Sequence, residues 1–449
     1  MPAAGQVADP SFSGRAAVAR RDITPPVGIY ARNWGAAPHD VASGVHRPLL
    51  ATVLALAPEQ GGPVVLASLD LGWWRSPDDE IALRRALLDR LGLPDSALLV
   101  ALSHSHSGPS ICSQDAQLPG GGLVKPYLEW LAAEVGEACV EAVSNLQPAT
   151  LAVAAGSCRL ATNRDLVHEG RHLCGFNPGE DADDTLLVGR VTSRTGETLA
   201  TIVNYACHPT TLALENRLLS PDFVGAMREV VESGGAPCLF LQGASGELGP
   251  REGFTSDVSI ADSHGRVLGH SVRAILEGML PPATELEFER AVESGATLGL
   301  WGRRARTVDG TIDVTMTTVK LPRSSGAASD WGDLEPRVRD ERMRRRQRIE
   351  ALLSGDAIPV PLWVWRLGEI LLVATPNELY SLFQRELRRR LDTRPVLVAS
   401  IVNGPYLGYL PDEQAFEGGY ETYQVWQSPF DKGALEELIE TASRILLTV

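Results

Sequence analysis

Short runs of Val, Leu and Ala alternate along the chain with longer stretches in which apolar residues recur every three or four positions. Runs of the first kind at Leu50 to Leu56, Pro63 to Asp70 and Ala97 to Leu102 predict strands, and helical spacing predicts helices over Asp79 to Leu91 and Tyr127 to Val143. Leu186 to Val191 and Ala200 to Ala206 predict a strand pair around the turn-prone Arg194-Thr195-Gly196-Glu197. A further strand begins at Leu239 and runs into the glycine-rich Gly243-Ala244-Ser245-Gly246-Glu247. The last third reads as strand (Trp363 to Thr375), helix (Glu378 to Leu391) and strand (Pro395 to Val402). A Gly/Tyr-rich loop and a helix from Lys432 to Leu447 complete it. Strands that are apolar at nearly every position are buried on both faces. The predicted fold class is α/β, with mixed β-sheets packed centrally and helices flanking them.

No internal repeat interrupts this pattern. The stretch most like a linker is Ser324 to Trp331, and an arginine-dense helix, Arg337 to Leu353, follows it. The Glu and Asp residues interspersed with those arginines read as a solvated helix rather than an anion site. Residues 324–355 are thus expected as an insert within one domain spanning 1–449. The chain carries a formal net charge of −15 over 449 residues, a field that repels nucleic acid and anionic lipid surfaces. No apolar stretch is long enough to cross a membrane, and the first residues have neither the basic nor the apolar region of a secretion signal. A cytoplasmic protein is expected. Six scattered cysteines without CxxC pairing read as small buried hydrophobes.

Candidate chemistry lies where predicted strands end. The strand closing at Leu102 runs into Ser103-His104-Ser105-His106-Ser107-Gly108-Pro109. On an extended backbone positions i and i+2 face one way, so both imidazoles can address one point. They read either as metal ligands or general bases, or as surface histidines in a polar loop. A second strand ends at Cys207-His208-Pro209, where the proline gives His208 a defined direction. The glycine-rich loop at 243–247 could bring backbone N–H groups close to a substrate oxygen, or be a plain tight turn.

Read in order, these pieces resemble the catalytic domain of the neutral/alkaline non-lysosomal ceramidases, zinc amidases that cleave N-acyl-sphingosine. The resemblance begins with Val18-Ala19-Arg20-Arg21-Asp22-Ile23-Thr24-Pro25-Pro26 and Gly44-Val45-His46-Arg47-Pro48-Leu49. It continues through the HSHSGP segment, Asn163-Arg164, His208-Pro209-Thr210, Asp222 and Gln242-Gly243. It ends with Pro376-Asn377-Glu378, Tyr406-Leu407-Gly408-Tyr409 and Gly419-Tyr420-Glu421.

The resemblance implies Zn2+ held by His104, His208, Glu378 and Tyr409, a donor set that suits this borderline-soft ion. It implies that His106 handles protons, that Arg164 and Tyr420 contact the scissile group, and that Asn163, Gly243 and Ser245 lie against the substrate. Where the family carries G-D-x-S-P, this chain has Gly246-Glu247-Leu248-Gly249-Pro250, so the family serine is Gly249. The implied function is zinc-dependent hydrolysis of an amide (N-acyl) bond by metal-activated water. The expected substrate is a small soluble metabolite rather than membrane ceramide, and homo-oligomerisation is left open. Amide formation or acyl transfer on the same fold, or a non-catalytic zinc-binding scaffold, are the alternatives.

Overall fold

A computed structural model describes residues 6–324, 331–391, 394–417 and 428–448. Eight strands form the larger sheet: β1 (Ser11–Asp22), β2 (Leu50–Ala57), β3 (Val64–Leu69), β4 (Leu98–Leu102), β5 (Gln147–Ser157), β6 (Thr185–Ser193), β7 (Thr198–Tyr205) and β8 (Cys238–Gln242). Their order is β8-β7-β6-β5-β1-β2-β3-β4, antiparallel throughout except for the parallel edge pairs β3/β4 and β7/β8. Four more strands, β9 (Ile312–Pro322), β10 (Ala357–Leu367), β11 (Ile370–Ala374) and β12 (Val396–Ala399), make a second mixed sheet whose parallel pair is β11/β12.

The two sheets pack face to face. Leu54, Leu66, Leu99, Ile202 and Leu239 of the larger sheet meet Trp363, Trp365, Leu372 and Leu397 of the smaller one in one buried cluster. Along β2 the alternate residues Ala51, Val53 and Ala55 point the other way, into a cluster with Leu83 and Leu87 of α1 (Pro77–Leu91) and Leu131 and Val135 of α2 (Val124–Ser144). Alternation therefore buries both faces, which is why these strands read as continuous apolar runs. Helices α3 (Phe223–Val231) and α4 (Val258–Gly278) cover the rest of that outer face, packing Phe223, Met227, Leu268 and Val272 against Val203 and Phe240. Helices α6 (Leu382–Arg390) and α7 (Ala434–Leu446) cover the smaller sheet, and α5 (Pro336–Leu352) packs the partly buried Ile349 against the same cluster. The expected class, mixed sheets inside flanking helices, is the one observed.

Local chemistry explains the boundaries. In α1, Ser76 caps the Asp79 N–H, Pro77 occupies the first turn with Asp78, Asp79 and Glu80, and Gly92 closes the helix at φ 64°. Two expected elements differ. The single strand expected over Trp363 to Thr375 is a hairpin, β10 and β11, turning at Gly368 with φ 57°. The helix expected from Glu378 begins only at Leu382. Glu378–Leu379 is instead a two-residue strand parallel to Tyr409–Leu410. The linker expected at Ser324 to Trp331 falls almost wholly outside the described residues.

The larger sheet curls until its edges approach, with Ser68 on β3 donating to the Phe240 carbonyl on β8 at 2.7 Å. The segment after β12 fills the gap. Val402 bridges Ala101 on β4, and the Ser400 N–H donates to the Gln242 carbonyl at the end of β8 at 2.8 Å. The C-terminal ends of all three parallel pairs thus open on one region.

Candidate metal centre

His104 leaves the end of β4 with φ 66°, a left-handed conformation, and His106 stands in the turn that follows. The two rings therefore converge because the backbone reverses, not through the extended i, i+2 alternation expected from sequence. Ser105 ties the turn down by donating to the Ser220 carbonyl at 2.6 Å. His208 follows β7. Glu378 and Tyr409 arrive together, because their short parallel strands place them directly opposite each other.

The donor atoms meet at one point. His104 Nε2 lies 3.1 Å from His208 Nε2 and 3.2 Å from Glu378 Oε2, and Glu378 Oε2 lies 2.8 Å from His208 Nε2. His106 Nε2 is 3.4 Å from His104 Nε2. Behind the His104 and His208 rings a backbone carbonyl accepts from Nδ1: Gly72 for His104 at 3.3 Å and Ser245 for His208 at 2.6 Å. This fixes the tautomer that leaves an Nε2 lone pair facing the cluster, the usual outer-shell arrangement for metal-ligating imidazole. Tyr406 holds the other Glu378 oxygen.

Electrostatics agree with that arrangement. Burial, reinforced by Arg164, pushes His208 down to about 3, and burial with the neighbouring His104 and His208 drives His106 well below the ordinary histidine range. Burial alone would raise the Glu378 carboxyl, but His104 and His208 hold it well below the usual carboxylate range. The Nε2 atoms of His104 and His208 and a Glu378 carboxylate oxygen crowd together as donors facing one point, so the residues present fit a metal ion. His104, His106 and His208 form a group able to hold one, their nitrogens lying within 4.8 Å of one another.

The remaining expected residues divide. Tyr409 stacks beside His208 (centroids 6.2 Å apart, 17° between planes). Arg164, buried, donates to Tyr409 Oη at 3.2 Å and to the Gly246 carbonyl at 2.7 Å. Asn163, Gly243 and Ser245 do not line the cavity in front of the cluster. Asn163 Oδ1 accepts the Asp165 N–H at 2.9 Å, and Ser245 Oγ accepts from Gln242 Nε2 at 2.5 Å. Of the two readings of the glycine-rich loop, the tight turn is the one its hydrogen bonds agree with. Its N–H groups at Gly243, Ala244 and Gly246 donate to Tyr205, Gln384 and Leu379 oxygens, so they are spent on packing rather than on a substrate oxygen. A Cβ at Gly246 would come within 2.5 Å of the Tyr380 ring. Tyr420 lies outside the described residues.

Several groups at the site carry no motif in the sequence. His106 sits between the rings of Trp34 (4.9 Å) and Trp73 (4.8 Å), with its Nδ1 buried and lacking a hydrogen-bond partner among the described residues. A cavity of about 320 Å³ reaches His106, Arg164, Glu378 and Tyr409 from outside, walled by Trp34, Trp73, Cys174, Phe254 and α5. The arginine-dense helix, expected to be solvated, therefore forms part of the entrance, with Glu341 buried. The doublet Trp73-Trp74 after an apolar strand was the one available signal; nothing in the sequence marks Trp34. All six cysteines are free, five of them buried as expected.

Among the described residues no helix is long and apolar enough to cross a membrane. No protein-family model and no curated protein matches the chain in sequence. Solved structures do match. A ceramidase complexed with C2 superposes with a TM-score of 0.70 at 17% identity, covering 98% of this chain and 76% of that one. Neutral ceramidase from Pseudomonas aeruginosa gives 0.67 at 16% identity, with 97% and 74% covered. At this level of identity the likeness speaks for architecture, and by architecture the chain has the neutral ceramidase fold.

Proposed function

We propose that this protein is a zinc-dependent hydrolase of an amide bond in a small soluble N-acyl compound, acting in the cytoplasm. The observation that carries the reading is the convergence of His104 Nε2, His208 Nε2 and a Glu378 oxygen on one point at the inner end of a cavity. The ceramidase neighbours support it, since ceramidases cleave an amide. His104, His208, Glu378 and Tyr409 would hold the ion. When bound, zinc supplies Lewis acidity, which polarises a carbonyl and brings the pKa of a coordinated water toward ~7.

The chain's own residues do the rest. His106, exposed to the cavity and flanked by two tryptophan rings, takes the proton of the attacking water at Nε2 and delivers it to the leaving amine. Arg164, held by the Gly246 carbonyl beside Tyr409, offers its guanidinium to the developing negative oxygen. The indole walls exclude bulk water and accommodate an apolar acyl chain. Gly249 offers no side chain, so water rather than a serine of this chain is the nucleophile.

The test joins metal analysis to turnover. Purified protein should carry about one zinc per chain and release free amine from a member of an N-acyl panel. His104→Ala and His208→Ala should lose most of the metal. His106→Ala should keep it while activity falls roughly 10²–10⁴-fold. Full zinc occupancy in His208→Ala sinks the ligand assignment, and equal metal loss in His106→Ala makes that residue a ligand instead of a proton carrier. Tight zinc with no turnover on any amide favours a scaffold.

A further inference from the structure

The three imidazoles at the cluster are not held alike. His104 and His208 each have a backbone carbonyl at Nδ1, whereas His106 Nδ1 is buried with no hydrogen-bond partner among the described residues. His106 Nε2 belongs to the cluster, 3.4 Å from His104 Nε2, so Nδ1 is the polar atom the ring has left for its other neighbours. Besides the main cavity, His106 borders a second one of about 10 Å³, which it shares with Trp34, His39, Ser107 and Asn216. That volume is room for about one water molecule. One closed loop brings two of these side chains there: Tyr30 bridges Val41, the Ala31 N–H donates to the Asp40 carbonyl at 2.9 Å, and Trp34 and His39 lie between. Trp34 Nε1 and both ring nitrogens of His39 are likewise buried without a hydrogen-bond partner among the described residues. Burial and Arg217 hold His39 below the ordinary histidine range, against the pull of the Asn216 and Leu214 carbonyls, so its ring is neutral with one N–H and one lone pair. Those carbonyls can only accept, and the lone pair still needs a donor.

We infer that this small cavity binds one water molecule, which accepts from His106 Nδ1–H and Trp34 Nε1–H and donates to His39, making His39 a positioning residue for the reaction. This rests on reading His106 as the proton carrier. Buried polar atoms are almost always paired, and orphaned atoms of three residues around one water-sized space are paired at once by a single water. The directions agree. An indole N–H can only donate, and Ser107 Oγ, which takes a hydrogen bond from Asn216 at 3.1 Å, offers a second acceptor. The consequence lies at the other end of the His106 ring. A proton held at Nδ1 leaves the lone pair at Nε2, the form that can take a proton from the attacking water. With the proton at Nε2 the ring could not act as base. No proton passes through the bound water: His106 gains one at Nε2, gives that one to the leaving amine, and keeps Nδ1–H throughout.

The parent protein supplies the first test, free of any variant. A crystal structure of the zinc-loaded full-length chain should show one ordered water within hydrogen-bond distance of His106 Nδ1 and a His39 nitrogen. Nitrogen NMR of the same protein labelled at histidine should show His106 as the Nδ1–H tautomer, its signals assigned by their loss in His106→Gln. In His39→Leu both tautomers should appear, and kcat should fall about 10- to 100-fold with KM within about twofold and zinc content unchanged. His39→Gln, whose carboxamide oxygen can accept from the same water, should return kcat to within about threefold of the parent. A dry cavity, an Nε2–H tautomer in the parent, or parent-like kcat in His39→Leu overturns the inference. So does an equal loss in the leucine and glutamine variants, which would mean that the ring acts by shape alone. Turnover separates this from the hydrolytic reading. If the water and the tautomer depend on His39 but no amide is ever cleaved, hydrolysis fails and the water site stands. If His39→Leu cleaves an amide as fast as the parent, the role of His39 fails and hydrolysis stands.

Discussion

At the scale of single residues, the two small side chains on the 242–250 loop decide whether a covalent route exists. Ser245 stands on the far side of His208 from the cluster, with Oγ 3.3 Å from Nδ1 rather than near Nε2, and Gln242 already donates to it. Gly249 is different, because space is free there. Among the described residues an added Cβ would meet only Arg164 Cδ at 3.4 Å and Thr210 Oγ1 at 3.7 Å, and that threonine hydroxyl is buried with no hydrogen-bond partner among them. Gly249→Ser should therefore fold normally, with stability within about 1 kcal/mol of the parent, since the new hydroxyl can satisfy Thr210. It should not speed turnover. Ser245→Ala should cost about 1 kcal/mol from the lost hydrogen bond and reduce activity only modestly. Mass spectrometry of quenched enzyme should find no acyl adduct in any of the three proteins. An adduct mapped to Ser245 would replace direct water attack with a two-step mechanism. The residues His104, His208, Glu378 and Tyr409 were legible in the sequence as motifs, but their geometry was not. The φ of 66° at His104 is imposed by tertiary packing, and no local residue type announces it.

At the scale of elements, what was legible follows from burial. Strands β2, β3, β4 and β8 are apolar on both faces and stood out. Strand β1 did not, because Arg15, Arg20 and Arg21 interrupt it. The structure accommodates Arg20 by pairing it with Glu232 and Thr52. The turn of the β10/β11 hairpin sits inside one apolar run and was invisible for the opposite reason. The start of α6 was misplaced because Glu378 resembles a helix-opening acid. The acid that serves this end of the helix is Glu247, from a distant loop, accepting both the N–H (2.9 Å) and the hydroxyl of Ser381. Burial pushes the Glu247 carboxyl up to about 8, although Ser381 pulls the other way. A carboxyl whose folded value exceeds its unfolded value of about 4.3 holds its proton more tightly in the native state. Its contribution is therefore most favourable below about pH 4 and is lost as pH climbs toward 8. Glu247→Gln keeps an acceptor for Ser381 and removes the titration. Urea denaturation should show the variant gaining on the parent by more than about 1 kcal/mol between pH 5 and pH 8. Parallel stability curves would mean that this carboxyl titrates normally.

At the scale of the whole molecule, the cluster is assembled from segments more than 300 residues apart in the chain and from both sheets. His104 and His208 follow strands of the larger sheet. Glu378 and Tyr409 come from the two-residue paired strands that follow β11 and β12 of the smaller one. A cation shared by these four would link the sheets, so its free energy of binding would add to stability by mass action, about 4 kcal/mol at a free concentration a thousand times Kd. The fold does not depend on that link alone. His104, His208 and Glu378 are each oriented by hydrogen bonds to Gly72, Ser245 and Tyr406, and the interface beneath them is a continuous apolar cluster. The two contributions predict a specific response to chelation. Removing the metal with EDTA should lower Tm by several degrees and abolish turnover. The far-UV circular dichroism below the transition should stay unchanged, and zinc should restore both Tm and activity. His208→Ala should melt at the chelated temperature and not respond to zinc. A chelated protein that loses its secondary structure would show that the ion builds the fold, as in small zinc-stapled domains. One that melts unchanged would show that no ion joins the two sheets.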